Sequence, residues 1–149
     1  MECDGCTLCC MVLPVPWLDK QPGIWCHHCN IGVGCKIWGD GLPDHCRDFE
    51  CSYRQVQCST DLRPDKIKVI FEKLENDIFL CTMHPKYNDA FKKRIVTAQI
   101  NDFLRQGYSV VINSFTLKKP IIAPTQGKKA HDIWIETNRQ AHDRTIIHN

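Results

Sequence analysis

Residues 67–83 read IKVIFEKLENDIFLCTM, two β-rich runs around residues 69–71 and 78–81 separated by Asn76 and Asp77. Branched and aromatic residues favour a pleated surface, and an Asn-Asp pair accepts the left-handed backbone of a tight turn, so this stretch predicts a β-hairpin. Downstream, Asn88 or Asp89 offers an N-cap, and Phe91, Ile95, Val96, Ile100, Phe103 and Leu104 recur at three- and four-residue intervals as far as Gly107. That periodicity predicts an amphipathic helix closed by a glycine able to take the left-handed conformation. YSVVINSF, residues 108–115, then predicts a strand returning beside the hairpin. In the tail, DIWIE alternates like a strand, but AHDIWIETNRQAH, residues 130–142, also reads as a short helix, and the helix is preferred.

Upstream the texture differs. The first sixty residues scatter Trp17, Trp25, Trp38 and Phe49 among prolines and glycines, and ten of the eleven cysteines lie at or before Cys58. A module of that size cannot bury enough apolar surface to offset chain entropy unaided, so a covalent or metal staple is expected. The fold class expected is α+β: a loop-rich, metal-stapled cysteine module over residues 1–61, packed on a small hairpin, helix and strand part over residues 62–149. The boundary falls near residues 59–64. The first part carries four Lys or Arg against eight Asp or Glu and the second fifteen against nine, so the two have opposite signs and attract. Nothing approaches ~20 continuous apolar residues, so no membrane span is expected. The opening MECDGCTLCCMVLPVPW has neither a basic nor a sustained apolar leader region, which makes a reducing cytoplasmic setting the expectation. Thiols there stay unpaired unless a metal holds them.

Nine cysteines, Cys3, Cys6, Cys9, Cys10, Cys26, Cys29, Cys35, Cys46 and Cys51, form the candidate metal-ligand set. A CxxC pair lets two sulfurs converge while backbone amides turn toward them, and three such pairs occur here: Cys3 with Cys6, Cys6 with Cys9, and Cys26 with Cys29. One zinc ion or one four-iron cluster takes four protein ligands, so nine thiols predict more than one centre or bridging thiolates. Cys9 and Cys10 are adjacent, and in extended backbone neighbouring side chains diverge, which predicts that they face different centres. His27, His28, His45 and Cys58 are further candidates outside the main set. Lys36, Arg47 and Arg54 are the cations near the thiols in sequence. Cys81 lies within a predicted strand and reads as core; a nucleophile pairing with His84 lacks any partner for an oxyanion, and no catalytic residue is assigned.

The motifs CDGCTLCC, KQPGIWCHHC, GCKIW and LPDHCRDFEC, in that order, resemble the bacterial cysteine-cluster family described as zinc- or iron-chelating, whose opening signature is CxxCxxCC. Gly34, Cys35 and Trp38 match its Gly-Cys step with Trp for the usual Tyr, and Cys46, Arg47, Phe49 and Cys51 match its closing motif. Leu42 stands where that family has Arg before Pro43. The resemblance covers about a third of the chain and implies metal chelation. Zinc is the expected metal, for storage, delivery or stabilisation of the module. An iron-sulfur cluster with a redox or accessory role is the alternative, although the ferredoxin spacing is broken at Cys10. A zinc-based nucleic-acid or protein interaction module is a third reading; the acidic cysteine region argues against nucleic acid as its partner. Copper(I) is also compatible with soft thiolates.

Overall fold

The structure is a computed structural model that describes residues 3–39, 41–55 and 59–147, of which 142–147 are described by backbone alone. Cys58 lies outside the described residues. The hairpin forms as β3 (Val69–Leu74) and β4 (Ile78–Met83), antiparallel, with Leu74 opposite Ile78. Asn76 and Asp77 turn the chain at φ +57° and +58°, which their short polar side chains tolerate. Helix α5 (Arg94–Arg105) crosses over to β5 (Ser109–Asn113), which runs parallel to β4 with Ile78 opposite Ser109. Strand β6 (Ile121–Ala123) adds antiparallel to β5, giving the order β3-β4-β5-β6. The chain ends in α6 (Ala130–Ile147).

Burial does not alternate along β3, where Val69, Ile70 and Phe71 are all buried, because both faces of the sheet are covered. One face carries the largest core cluster: Val69, Phe71, Phe79, Cys81, Val110 and Ile112 pack on Val96, Ile100 and Phe103 of α5. Phe103 stacks on Phe79 with ring centres 3.8 Å apart and meets Phe71 edge-on at 5.3 Å. On the other face Leu74, Ile78 and Val111 meet Ile133 of α6. That face also seats the cysteine region: Leu8, Met11 and Val12 of α1 (Leu8–Val12) close over Ile70. The expected hairpin, helix and strand thus all form, and β6 extends them to a four-stranded mixed sheet.

Two sequence expectations need correction. The long helix begins at Arg94 with Lys93 as cap, and a 3-10 turn at Ala90–Lys92 precedes it. Asn88 is spent elsewhere: its amide donates to the Pro85 carbonyl at 2.7 Å and its carbonyl oxygen accepts from Ser114 Oγ at 2.7 Å, tying the loop to the end of β5. Second, β5 ends at Asn113, short of the expected Phe115, and the unexpected β6 follows a loop that carries Lys118, Lys119 and Pro120.

Candidate functional site

The opening CxxC folds as a tight loop in which the Cys6 amide donates to the Cys3 carbonyl at 2.8 Å, with Asp4 and Gly5 at φ +48° and +79°. Gly5 is required twice over, since a Cβ there would also lie 2.7 Å from the Gly32 carbonyl oxygen. Thr7 caps no helix amide. Its Oγ1 instead accepts from the Gly32 amide at 3.1 Å and pins the turn between β1 (Cys29–Asn30) and β2 (Gly34–Cys35) against the start of α1. Cys29 and Cys35 are directly paired across this ribbon, so their side chains share a face. The Cys26 amide donates to the Cys10 carbonyl at 3.0 Å, fastening the Cys26–Cys29 pair to α1. Cys46 comes from α2 (Asp44–Arg47), and Cys51 immediately precedes α3 (Ser52–Gln55). Tyr53 of α3 is buried and donates its hydroxyl to Asp4 at 3.4 Å, and Arg63 Nη1 donates to the Asp4 carbonyl at 2.7 Å, locking the first loop to both segments.

All nine candidate cysteines are half-buried free thiols, and seven of them, all but Cys29 and Cys51, line two cavities that share Cys9, Cys10 and Cys35. A cleft of about 510 Å³ is lined by Cys3, Cys6, Cys9, Cys10 and Cys35. A smaller pocket of about 70 Å³, walled mainly by apolar side chains such as Leu42 and Phe49, is lined by Cys9, Cys10, Cys26, Cys35 and Cys46. Cys6, Cys9 and Cys51 pack against the same apolar cluster under α1. Cys10 hydrogen-bonds the Cys9 and Cys29 thiols. The extended backbone assumed for Cys9 and Cys10 is not what forms: both are helical, roughly 100° apart around α1, so their thiols touch instead of diverging. Cys9, Cys10 and Cys35 line both cavities, Cys3 and Cys6 the larger alone, and Cys26 and Cys46 the smaller alone.

Burial pushes the Cys6 thiol up to about 11 against the pull of the Leu8 and Asp65 amides. Burial and then Cys10 push Cys29 up to about 12, and burial with Cys10, Cys26 and Cys35 takes Cys46 to about 11. The Cys9 thiol raises Cys10 furthest, with burial adding to it. Cys3 and Cys35 rise through burial, Cys3 against the opposing charge of Arg54. A metal that claims these sulfurs must therefore displace protons. As the side chains stand, no three His, Cys, Asp or Glu among the described residues form an arrangement that could hold a metal ion.

Of the three cations expected near the thiols, Arg54 lines the larger cleft, while Lys36 is exposed and Arg47 is paired with Asp44 at 2.6 Å. The cation that sequence reading missed is Lys20. It is only 6 % exposed and its ammonium donates to the carbonyls of Met11 (3.1 Å), Leu13 and Gln21 (3.0 Å). Burial lowers its pKa, and the neighbouring Cys26, Cys10, Cys46 and Cys9 oppose that shift. Its only sequence signal was a lone lysine between Trp17 and Trp25. His27 is exposed and its ring lies tilted at 45° against that of His28, with centres 4.0 Å apart, and His45 lines a groove with Pro14 and Phe49. Cys81 is wholly buried in the sheet core, where burial drives its thiol far up, as its place in a strand predicts. Among the described residues no helix is long and apolar enough to cross a membrane. Comparison with known proteins finds no matching family model, no matching curated protein and no matching solved structure, so the resemblance of the cysteine motifs rests on those motifs themselves.

Proposed function

We propose that the chain is a thiolate metal-binding protein that takes zinc in more than one centre, in a reducing cytoplasmic setting, for storage, delivery or stabilisation of its own cysteine module. The observation that carries this reading is the gathering of unpaired thiols from five segments about α1: seven line two cavities, Cys51 packs on the apolar cluster under α1, and Cys29 meets the Cys10 thiol. Packing alone gives no reason to cluster so many raised-pKa thiols in a loop-rich region, whereas a divalent cation replaces their protons and holds the segments together. Cys3, Cys6, Cys9 and Cys51 supply four donors to one centre. Cys10, Cys26, Cys29, Cys35 and Cys46 supply the other, with Arg54 and Lys20 as the respective counter-charges. Loading then entails a closing of side chains about each centre.

The test is metal content of protein purified without oxygen and without added metal, repeated on Cys51→Ser and Cys26→Ser. Two or more zinc ions per chain, with each variant losing part and keeping part, is the expected outcome. A chain that binds at most a trace of any metal ends this reading. An iron-sulfur cluster is the second reading, favoured by the size of the larger cleft, which exceeds what a single ion fills. A brown sample containing iron and acid-labile sulfide would replace zinc by that cluster.

A further inference from the structure

The cations of the second half are not spread evenly. Tyr87, 43 % exposed, has Lys68 Nζ 5.3 Å and Lys93 Nζ 5.8 Å from its ring centre, and His84 meets it edge-on at 5.1 Å. Three segments converge to make this. Lys68 is the left-handed residue, φ +66°, that ends α4 (Pro64–Ile67). Tyr87 closes the turn after β4, its amide donating to the His84 carbonyl at 2.8 Å. Lys93 caps α5, and its ammonium is held by the Ile67 carbonyl at 3.3 Å. Lys66, Lys86, Lys92 and Arg94 are exposed on these same segments.

The nearby carboxylates do not neutralise this set. Asp65 is taken by both Arg63 Nε and Nη2, at 2.7 and 2.9 Å, which leaves Asp89 on the loop between Tyr87 and Lys92. Helix α5 starts with no acidic residue in its first turn and no side-chain cap, while Lys92, Lys93 and Arg94 crowd the end where the helix dipole favours negative charge. Concentrating cations there opposes folding and favours an external anion. The surface is open, so it suits an extended polymer better than an enclosed small molecule. Apart from Tyr87, Ile95 is the large apolar side chain exposed on these segments, at 37 %, which is little for insertion into a bilayer.

We propose that the surface around Tyr87, with Lys66, Lys68, Lys86, Lys92, Lys93 and Arg94, binds single-stranded nucleic acid, the cations taking backbone phosphates and the exposed ring taking a base. Cations beside an exposed aromatic are the means by which single strands are held without sequence preference. The acidic cysteine region that argued against nucleic acid lies in the other half of the chain and supplies none of these groups.

Fluorescence anisotropy of a labelled mixed-sequence oligonucleotide, as RNA and as DNA, tests this on the full chain over a range of salt. Six phosphate contacts give a slope of log K against log salt of about −4, and the triple variant K68Q/K86Q/K93Q lowers its magnitude by about 2. That variant is expected to lose at least about tenfold in affinity at about 50 mM salt, and K68R/K86R/K93R to retain it. Tyr87→Ala weakens binding with the slope kept, whereas K118Q/K119Q, outside the patch, changes neither. Absence of salt-dependent binding overturns the proposal, as does binding that K118Q/K119Q abolishes and the triple variant leaves intact. Equal, patch-dependent binding of polyglutamate or of phosphatidylserine vesicles also overturns it, by assigning the surface to an acidic protein or a membrane.

Discussion

Lys20 concentrates the most consequence in one side chain. Its ammonium satisfies carbonyls at and just beyond the C-terminal end of α1, the helix that carries Cys9 and Cys10, so one residue both caps the thiol-bearing helix and brings positive charge to the second thiol group. Lys20→Met keeps the stem but takes the ammonium from the Leu13 and Gln21 carbonyls and leaves the Met11 carbonyl with the Gly23 amide alone; a loss of about 2–3 kcal/mol in metal-free stability is expected from charge-assisted bonds in a buried place, read by urea denaturation. The same variant is expected to bind zinc more weakly at neutral pH, measured by chelator competition, because its thiolates lose a compensating charge. Gly5→Ala places a Cβ against the Gly32 carbonyl oxygen in a left-handed conformation, and about 1–3 kcal/mol of strain follows, visible as a lowered melting temperature. His84 has the opposite electrostatics. Burial, Lys68 and Lys86 hold its pKa below the ordinary 6.5. As pH falls through 6.5 the unfolded chain takes up a proton that the folded chain resists, so this residue lowers stability on acidification and costs nothing above that window. An NMR titration is expected to show the depressed pKa and to show it rising in Lys68→Met.

At the scale of elements, the clearest designed contact is between α6 and the hairpin turn. Gln140, buried on α6, accepts from the Glu75 amide at 2.9 Å and donates to the Glu75 carbonyl at 3.1 Å, while Glu136 accepts from Asn76 Nδ2 at 2.8 Å. Gln140→Leu leaves both backbone groups of Glu75 without that partner; a cost of about 1–2 kcal/mol and faster hydrogen exchange at the Glu75 amide are expected, with β5 exchange unchanged. This contact also marks what could be read from the sequence. The hairpin, the long helix and the β5 strand announce themselves through local period and turn residues, because Asn76, Asp77 and Gly107 take the left-handed conformations their chemistry permits, whereas the terminal helix competes with a strand reading of DIWIE. Strand β6 is three residues long and has no period of its own, so only pairing with Val110–Ile112 creates it. Helix α1 hides for a related reason: LCCMV is too short to form alone, and Leu8, Met11 and Val12 become a helical face only against Ile70. Missing that helix is why Cys9 and Cys10 are expected on extended backbone when they are helical. The nine thiols as a set were legible in their spacing, but the role of Lys20 was not, since its partners are backbone carbonyls without a sequence signature.

For the whole molecule, the sheet has two faces of unequal self-sufficiency. The α5 face holds the largest continuous apolar cluster, with three packed aromatic rings, and all of its members come from the second part of the chain. On the opposite face the cysteine region contributes Leu8, Met11 and Val12 over Ile70 and otherwise consists of loops, two-residue strands and one-turn helices, whose segments meet at thiols. If metal closes those thiols, its removal should loosen one side of the molecule and spare the other. Hydrogen exchange on protein stripped with a strong chelator under reducing conditions is expected to accelerate at Leu8–Val12, Cys29–Asn30 and Gly34–Cys35. Val110, Val111 and Ile112, buried in the middle of the sheet, should stay protected, and restored zinc should reverse the change. Uniform acceleration across β3, β4 and β5 would mean that the two faces unfold as one unit and that the metal-dependent module is not separable. No acceleration anywhere would mean that packing under α1 holds the cysteine region without metal, and the thiols would then need a different account.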